Sequence, residues 1–159
     1  EEFEQVKSHT VTGYKLLRMH PIDEKIKRTV ILHHERMDGS GYPYGFDKEE
    51  IDYFSRCISI IDTYEAMAAP RAHRLSIPPF NILAYFEDSL SQFDVEILMP
   101  IMKRIANAQI GTSVQLNDES IWEVFILNNN RLSRPILRND KSETLDLLMR
   151  PDLTIEKVL

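Results

Sequence analysis

Apolar positions recur at helical spacing through the first two thirds of the chain, and proline or glycine marks the breaks between the runs. Residues 3 to 19 place Phe3, Val6, Leu16 and Leu17, with His9 and Gly13, at helical offsets, which predicts one amphipathic helix. It should end at His20-Pro21, because the residue before a proline resists helical geometry. A second helix is predicted from Asp23 to His34, with Ile26, Val30 and Ile31 facing inward and Asp23 near the positive N-terminal end. Gly39, Gly41 and Pro43 then require a shaped loop. From Lys48 to Ala68, the positions Ile51, Phe54, Ile58, Ile61 and Met67 predict the longest helix, closed by Pro70 and carrying Asp62. Pro78 and Pro79 open a further helix to Leu90, since a first turn has no use for the missing proline donor. The last predicted helix runs from Asp94 to Asn107, kinked at Pro100.

After Gly111 the period shortens. The segments SVQL (113–116), IWEVFIL (121–127) and RPILR (134–138), separated by Asn- and Asp-rich turns, predict a small antiparallel sheet. The fold expected is mainly α: a helical core over residues 1–110 and a β-rich extension over 111–159 packed on it.

Composition narrows the function more than the fold. The formal charge of -6, from 25 acidic against 19 basic residues, argues against a duplex nucleic-acid partner. It leaves room for a small phosphate ligand held by a few local arginines. A lone cysteine, Cys57, excludes an internal disulfide and fits a cytoplasmic setting. No apolar run reaches the roughly 18 to 20 residues a membrane helix needs, and no signal-peptide pattern opens the chain. The first residue is Glu1, so the chain is expected to be a piece of something longer.

Four side chains, His9, His33, His34 and Asp62, are polar groups on predicted helices. Each alone has a plainer explanation: an exposed helix histidine, or a histidine pair at the negative end of a helix dipole. Asp62 is harder to dismiss, because Ile58, Ile60 and Ile61 precede it in a helix that looks buried, where an unpaired carboxylate is costly. Together the four suit a divalent iron, manganese or zinc site. Neighbouring helical positions point about 100° apart, so His33 and His34 are expected to serve two ions rather than one. Two-metal sites activate water against phosphodiesters. Asp38, Gly39, Gly41, Tyr42 and Pro43 form the loop that follows, which alone would pass for an ordinary turn. Arg71 and Arg74 lie beyond Pro70, either as a solvated pair or as guanidinium groups available to phosphate.

The string HHERMDGSGYP (33–43), followed by IIDTYEAM (60–67) and then Arg71 and Arg74, resembles HD-GYP domains in residues, order and spacing. The likeness begins with His9 in SHTVTGYKLL and runs through QFDVEIL (92–98) into the terminal sheet. The resemblance implies part of an HD-superfamily helical bundle and hydrolysis of cyclic-di-GMP by metal-activated water. It implies His9, His33, His34 and Asp62 as ligands of a two- or three-metal iron or manganese cluster, and Tyr42, Arg71 and Arg74 as contacts to the dinucleotide. It also implies a docking surface for diguanylate-cyclase domains on the Gly41-Tyr42-Pro43 loop. The His-Asp pair that gives the family its name belongs upstream of the matching region and is not in this sequence. The chain is therefore expected to carry about half a metal site and to hold metal weakly by itself, with a homodimer or exchanged helices to cover its apolar faces. A non-catalytic dinucleotide-binding or docking module is the alternative, and a phosphohydrolase of a different nucleotide the third.

Overall fold

In the computed structural model, which describes residues 2–70 and 76–159, the helical pattern folds into α1 (Glu2–Leu17), α2 (Glu24–Leu32), α3 (Tyr53–Ala68), α4 (Pro79–Asp88) and α5 (Val95–Asn107). Two units divide the chain, Glu1–Glu65 with Ser89–Leu98 and Ala66–Asp88 with Met99–Leu159.

In the first unit, α1 pairs with α2. Gly13 lets them close, since a Cβ there would stand 2.9 Å from Val30 Cγ1. Thr10, one turn earlier, is fully buried. The connection is fastened by buried Lys27, whose ammonium reaches Glu24 Oε1 at 2.6 Å and the Arg18 carbonyl at 3.4 Å. Asp23 caps α2 by accepting from the Lys25 N–H. The helix stops at Leu32, short of the predicted His34, and His33 serves as its C-terminal cap. Ile31 is buried as expected, but Ile26 is 53% exposed and faces away from the core.

α3 starts at Tyr53 rather than Lys48. Asp47 holds residues 48–50 in a turn through the N–H groups of Glu49 and Glu50. Asp52 then accepts from the Ser55 N–H and hydroxyl, at 3.1 and 2.8 Å, and begins the helix. Ile51 is buried from the turn, outside the helix. The buried face also differs from expectation. It is made by Ser55, Ser59, Ile60 and Thr63, while Phe54, Ile58 and Ile61 are exposed. A short 3-10 turn, Leu90–Gln92, takes up the Leu90 that the pattern assigned to the preceding helix. Asp94 caps the start of α5 and pairs with Arg56 at 3.2 Å.

In the second unit, α4 starts on Pro79 and buries Phe80, Ile82, Leu83 and Phe86. The later part of α5 buries Met102 and Ala106, with Pro100 inside the helix. Five strands follow: β1 (Ser113–Leu116), β2 (Ile121–Ile126), β3 (Ile136–Arg138), β4 (Thr144–Asp146) and β5 (Ile155–Val158). They pair antiparallel in the order β4-β3-β2-β1-β5, with Ser113 opposite Glu123 and Val114 opposite Val158. The first three are the predicted segments. β4 and β5 escaped the pattern because one has three residues and the other exposes Glu156 and Lys157 on an edge, where charge discourages further pairing. Among the described residues, no helix is long and apolar enough to cross a membrane.

Candidate metal centre

The close approach at Gly13 sets α1 against α2, and His9 stands one turn before that glycine. His33 and His34 follow directly after the end of α2. His33 keeps a right-handed helical backbone as the cap, yet the two rings still converge on one side. The rings of His33 and His34 lie 4.1 Å apart. Ligand atoms of His9, His33 and His34 all fall within 4.8 Å of one another. The expected division between two ions is thus not imposed by the backbone, and one ion can face all three.

Local hydrogen bonds decide which nitrogens are available. His9 Nδ1 donates to the Val6 carbonyl at 2.6 Å, and His33 Nδ1 donates to the Val30 carbonyl at 2.9 Å. A carbonyl can only accept, so the proton of each neutral ring sits on Nδ1 and the lone pair on Nε2. Those two Nε2 atoms face each other at 3.3 Å. Two lone pairs so placed repel unless something positive lies between them. Two nitrogens sharing one ion at about 2.1 Å each stand about 3 to 3.4 Å apart, so the donor set fits a divalent cation. Backbone acceptors behind the ligating rings are the usual support of such a site.

His34 completes the set. Burial, followed by the neighbouring His33, pushes its pKa down to about 4, against an opposing pull from Asp62. Its imidazole is therefore neutral at pH 7 and keeps a lone pair for a ligand. Asp62 Oδ2 lies 3.8 Å from His34 Nδ1. Asp62 is half-buried, while Ile58 and Ile61 are exposed and only Ile60 of that group is buried. The cost of a buried carboxylate is not what marks Asp62; its nearness to His34 is.

The loop after the histidines is built from two residues that the sequence pattern does not single out. Glu35 is buried and uses both carboxylate oxygens on the backbone, accepting from the Tyr44 N–H at 2.8 Å and the Phe46 N–H at 3.0 Å. Arg36 donates to the carbonyls of His33 and Glu35 and to the hydroxyls of Ser59 and Thr63. A charged pair beside two glycines, in a loop rich in backbone donors and acceptors, was the available signal. Gly41 passes so close to residues 34–36 that a Cβ would fall 2.4 Å from Glu35 Cα and from the Arg36 nitrogen. Asp38 accepts from the Ser40 N–H and hydroxyl, which holds its carboxyl below the usual carboxylate range. Gly39, at φ 75°, turns the chain next. The Tyr42-Pro43 bond is cis.

These contacts lay the Tyr42 ring on His34, with centroids 4.7 Å apart, and burial raises the pKa of its phenol. The Lys7 ammonium also sits over that ring, 5.6 Å from its centroid. A shallow groove of about 470 Å³ runs past Lys7, Gly41, Tyr42 and Pro43. Of the predicted residues, His9, His33, His34, Asp62, Asp38, Gly39, Gly41, Tyr42 and Pro43 thus share one region of the first unit. Arg71 and Arg74 lie outside the described residues, as does His73.

A family model described as HD domain matches residues 1–97. The cyclic di-GMP phosphodiesterase PdeB of Borreliella burgdorferi is 28% identical over 170 residues, spanning all of this chain and 45% of that protein. Cyclic di-GMP phosphodiesterase PA4108 of Pseudomonas aeruginosa is 24% identical over 135 residues, 84% of this chain and 33% of its own length. The 3'3'-cGAMP-specific phosphodiesterase 3 of Vibrio cholerae is 31% identical over 106 residues, 65% of this chain and 23% of that protein. The chain spans less than half the length of each of these curated relatives.

Proposed function

The chain belongs to the HD domain family of metal-dependent phosphohydrolases, and from that premise we propose that the protein it forms part of hydrolyses a phosphodiester of a cyclic dinucleotide, cyclic-di-GMP first. The observation that carries the proposal is the Nε2 atoms of His9 and His33 facing each other at 3.3 Å while each Nδ1 is committed to a backbone carbonyl, an arrangement suited to a cation. His9, His33, His34 and Asp62 would hold iron or manganese, for which imidazole and carboxylate are suitable donors. A bound divalent ion supplies activation of water and offsets charge on phosphoryl oxygens.

The rest of the work falls to the chain. The carbonyls of Val6 and Val30 fix the orientation of two imidazoles and keep their protons on the far nitrogens. Tyr42, pressed against His34, offers a flat face and a protonated hydroxyl toward a ligand. Lys7 brings positive charge to the same groove, suited to a phosphate. Arg71 and Arg74 are proposed as further phosphate contacts, on the resemblance alone. Tyr44, 56% exposed beside Pro43, presents the loop surface proposed for diguanylate-cyclase domains.

The test is turnover by the full-length protein loaded with Mn(II) or Fe(II), offered cyclic-di-GMP and cyclic GMP-AMP in parallel, with products separated by chromatography. Hydrolysis of one or both, lost about 100-fold or more in His33→Ala, is expected. Binding of the dinucleotide without turnover by the loaded protein would favour the non-catalytic module. Hydrolysis confined to mononucleotides would overturn the substrate class.

A further inference from the structure

We infer that Arg36 is a positioning residue for this centre, holding the turn of α3 that carries Asp62 against the turn that carries His33 and His34. The inference rests on the assignment of those residues as metal ligands. Arg36 spans two backbone segments with one planar group. Its Nη1 donates to the His33 carbonyl at 3.3 Å, the Glu35 carbonyl at 3.0 Å and Ser59 Oγ at 2.7 Å, and its Nη2 donates to Thr63 Oγ1 at 3.2 Å. The guanidinium also lies over the Phe93 ring, 5.1 Å from its centroid.

Ser59 and Thr63 bracket Asp62, one a turn before it and the other its neighbour. The Thr63 hydroxyl gives its own proton to the Ser59 carbonyl at 2.7 Å, so its oxygen meets Arg36 as an acceptor. That explains a feature the apolar pattern could not. α3 buries Ser59 and Thr63 beside Ile60, while Ile58 and Ile61 stay exposed, because these two hydroxyls on its inner face receive the guanidinium. Asp62, half-buried, shares its side of the helix with exposed Ile58 and Ile61, so burial alone does not set its place. What sets it is the hydrogen-bonded edge opposite, which runs through Arg36 to the carbonyl of His33. Lysine cannot replace the fork, since a single ammonium cannot serve acceptors on both segments in one plane.

A double-mutant cycle on Mn(II) affinity in the full-length protein separates positioning from general stability. Arg36→Lys is expected to weaken Mn(II) binding about tenfold, the lower end of what supporting groups contribute to a metal site. In an Asp62→Asn background the same substitution should change affinity by no more than about twofold, because the ligand it places is already gone. The Ser59→Ala, Thr63→Val pair removes the α3 half of the clamp and should show the same dependence, and it carries the cycle if Arg36→Lys fails to fold. Equal fold losses in the two backgrounds would overturn the inference while leaving the metal assignment standing. Failure of the unsubstituted protein to bind Mn(II) would overturn both.

Discussion

The two units are held together by different forces. The second buries Phe80, Ile82, Leu83, Phe86, Met102 and Leu137 among other apolar side chains, and Ser133 is the one buried polar residue among those described. The first buries Ile31, Leu32, Ile51, Ile60, Phe93 and Leu98, but as many of its buried residues are polar: Thr10, Lys27, Glu35, Ser55, Ser59 and Thr63. Apolar burial is nondirectional and tolerates small shifts, whereas a buried polar group must meet its partner at hydrogen-bond distance. The unit that carries the histidines is thus organised by directional contacts, which place side chains narrowly enough for a metal site. The cost is visible on its surface, where Val6, Ile26, Phe54, Ile58 and Ile61 are exposed.

The largest effect should come from a cavity in the apolar unit. Phe86 is fully buried, and Phe86→Ala is expected to destabilise by about 3 to 5 kcal/mol in urea denaturation followed by tryptophan fluorescence at Trp122. Mn(II) affinity of the protein that remains folded should change by less than about twofold. A large loss of affinity would mean that the division of labour between the units is false.

The reverse experiment targets the polar interior. Glu35→Gln keeps the volume but turns an NH₂ group toward one of two backbone N–H groups that both need an acceptor, those of Tyr44 and Phe46. Leaving one buried donor unmet costs about 1 to 3 kcal/mol. Hydrogen exchange should report the loss at the Tyr44 and Phe46 amides first, with the strands of the second unit unchanged. Uniform acceleration in both units would erase the contrast.

That contrast also separates what the sequence makes legible from what it does not. Periodicity works where burial is apolar, so α4, α5 and β1 to β3 emerge close to their observed limits. It fails on α3, where a stripe of Phe54, Ile58 and Ile61 reads as a core face while the buried face is Ser55, Ser59, Ile60 and Thr63. It misses β5, whose charged edge residues hide the alternation. At the candidate centre, residue types and order mark His9, His33, His34 and Asp62, and the structure brings the three imidazoles within reach of one point. Glu35 and Arg36 are silent in a pattern of apolar positions, because their importance lies in which backbone groups the loop turns toward them.

The smallest effect is also the sharpest check on the exposed stripe. Ile58 is 40% exposed on α3, and lysine is at least as good a helix former as isoleucine. In the 159-residue chain, Ile58→Lys should change stability by no more than about 0.5 kcal/mol, the ordinary range for surface positions. If the side chain were packed in this chain, placing an ammonium there would cost several times as much. The same substitution in the full-length protein reads something different: a loss well above 0.5 kcal/mol there, with none in the 159-residue chain, would mean that another segment or a second copy covers α3 beside Asp62. Equal, small effects in both would leave the stripe open to solvent and place the apolar exposure of the first unit in the working protein itself.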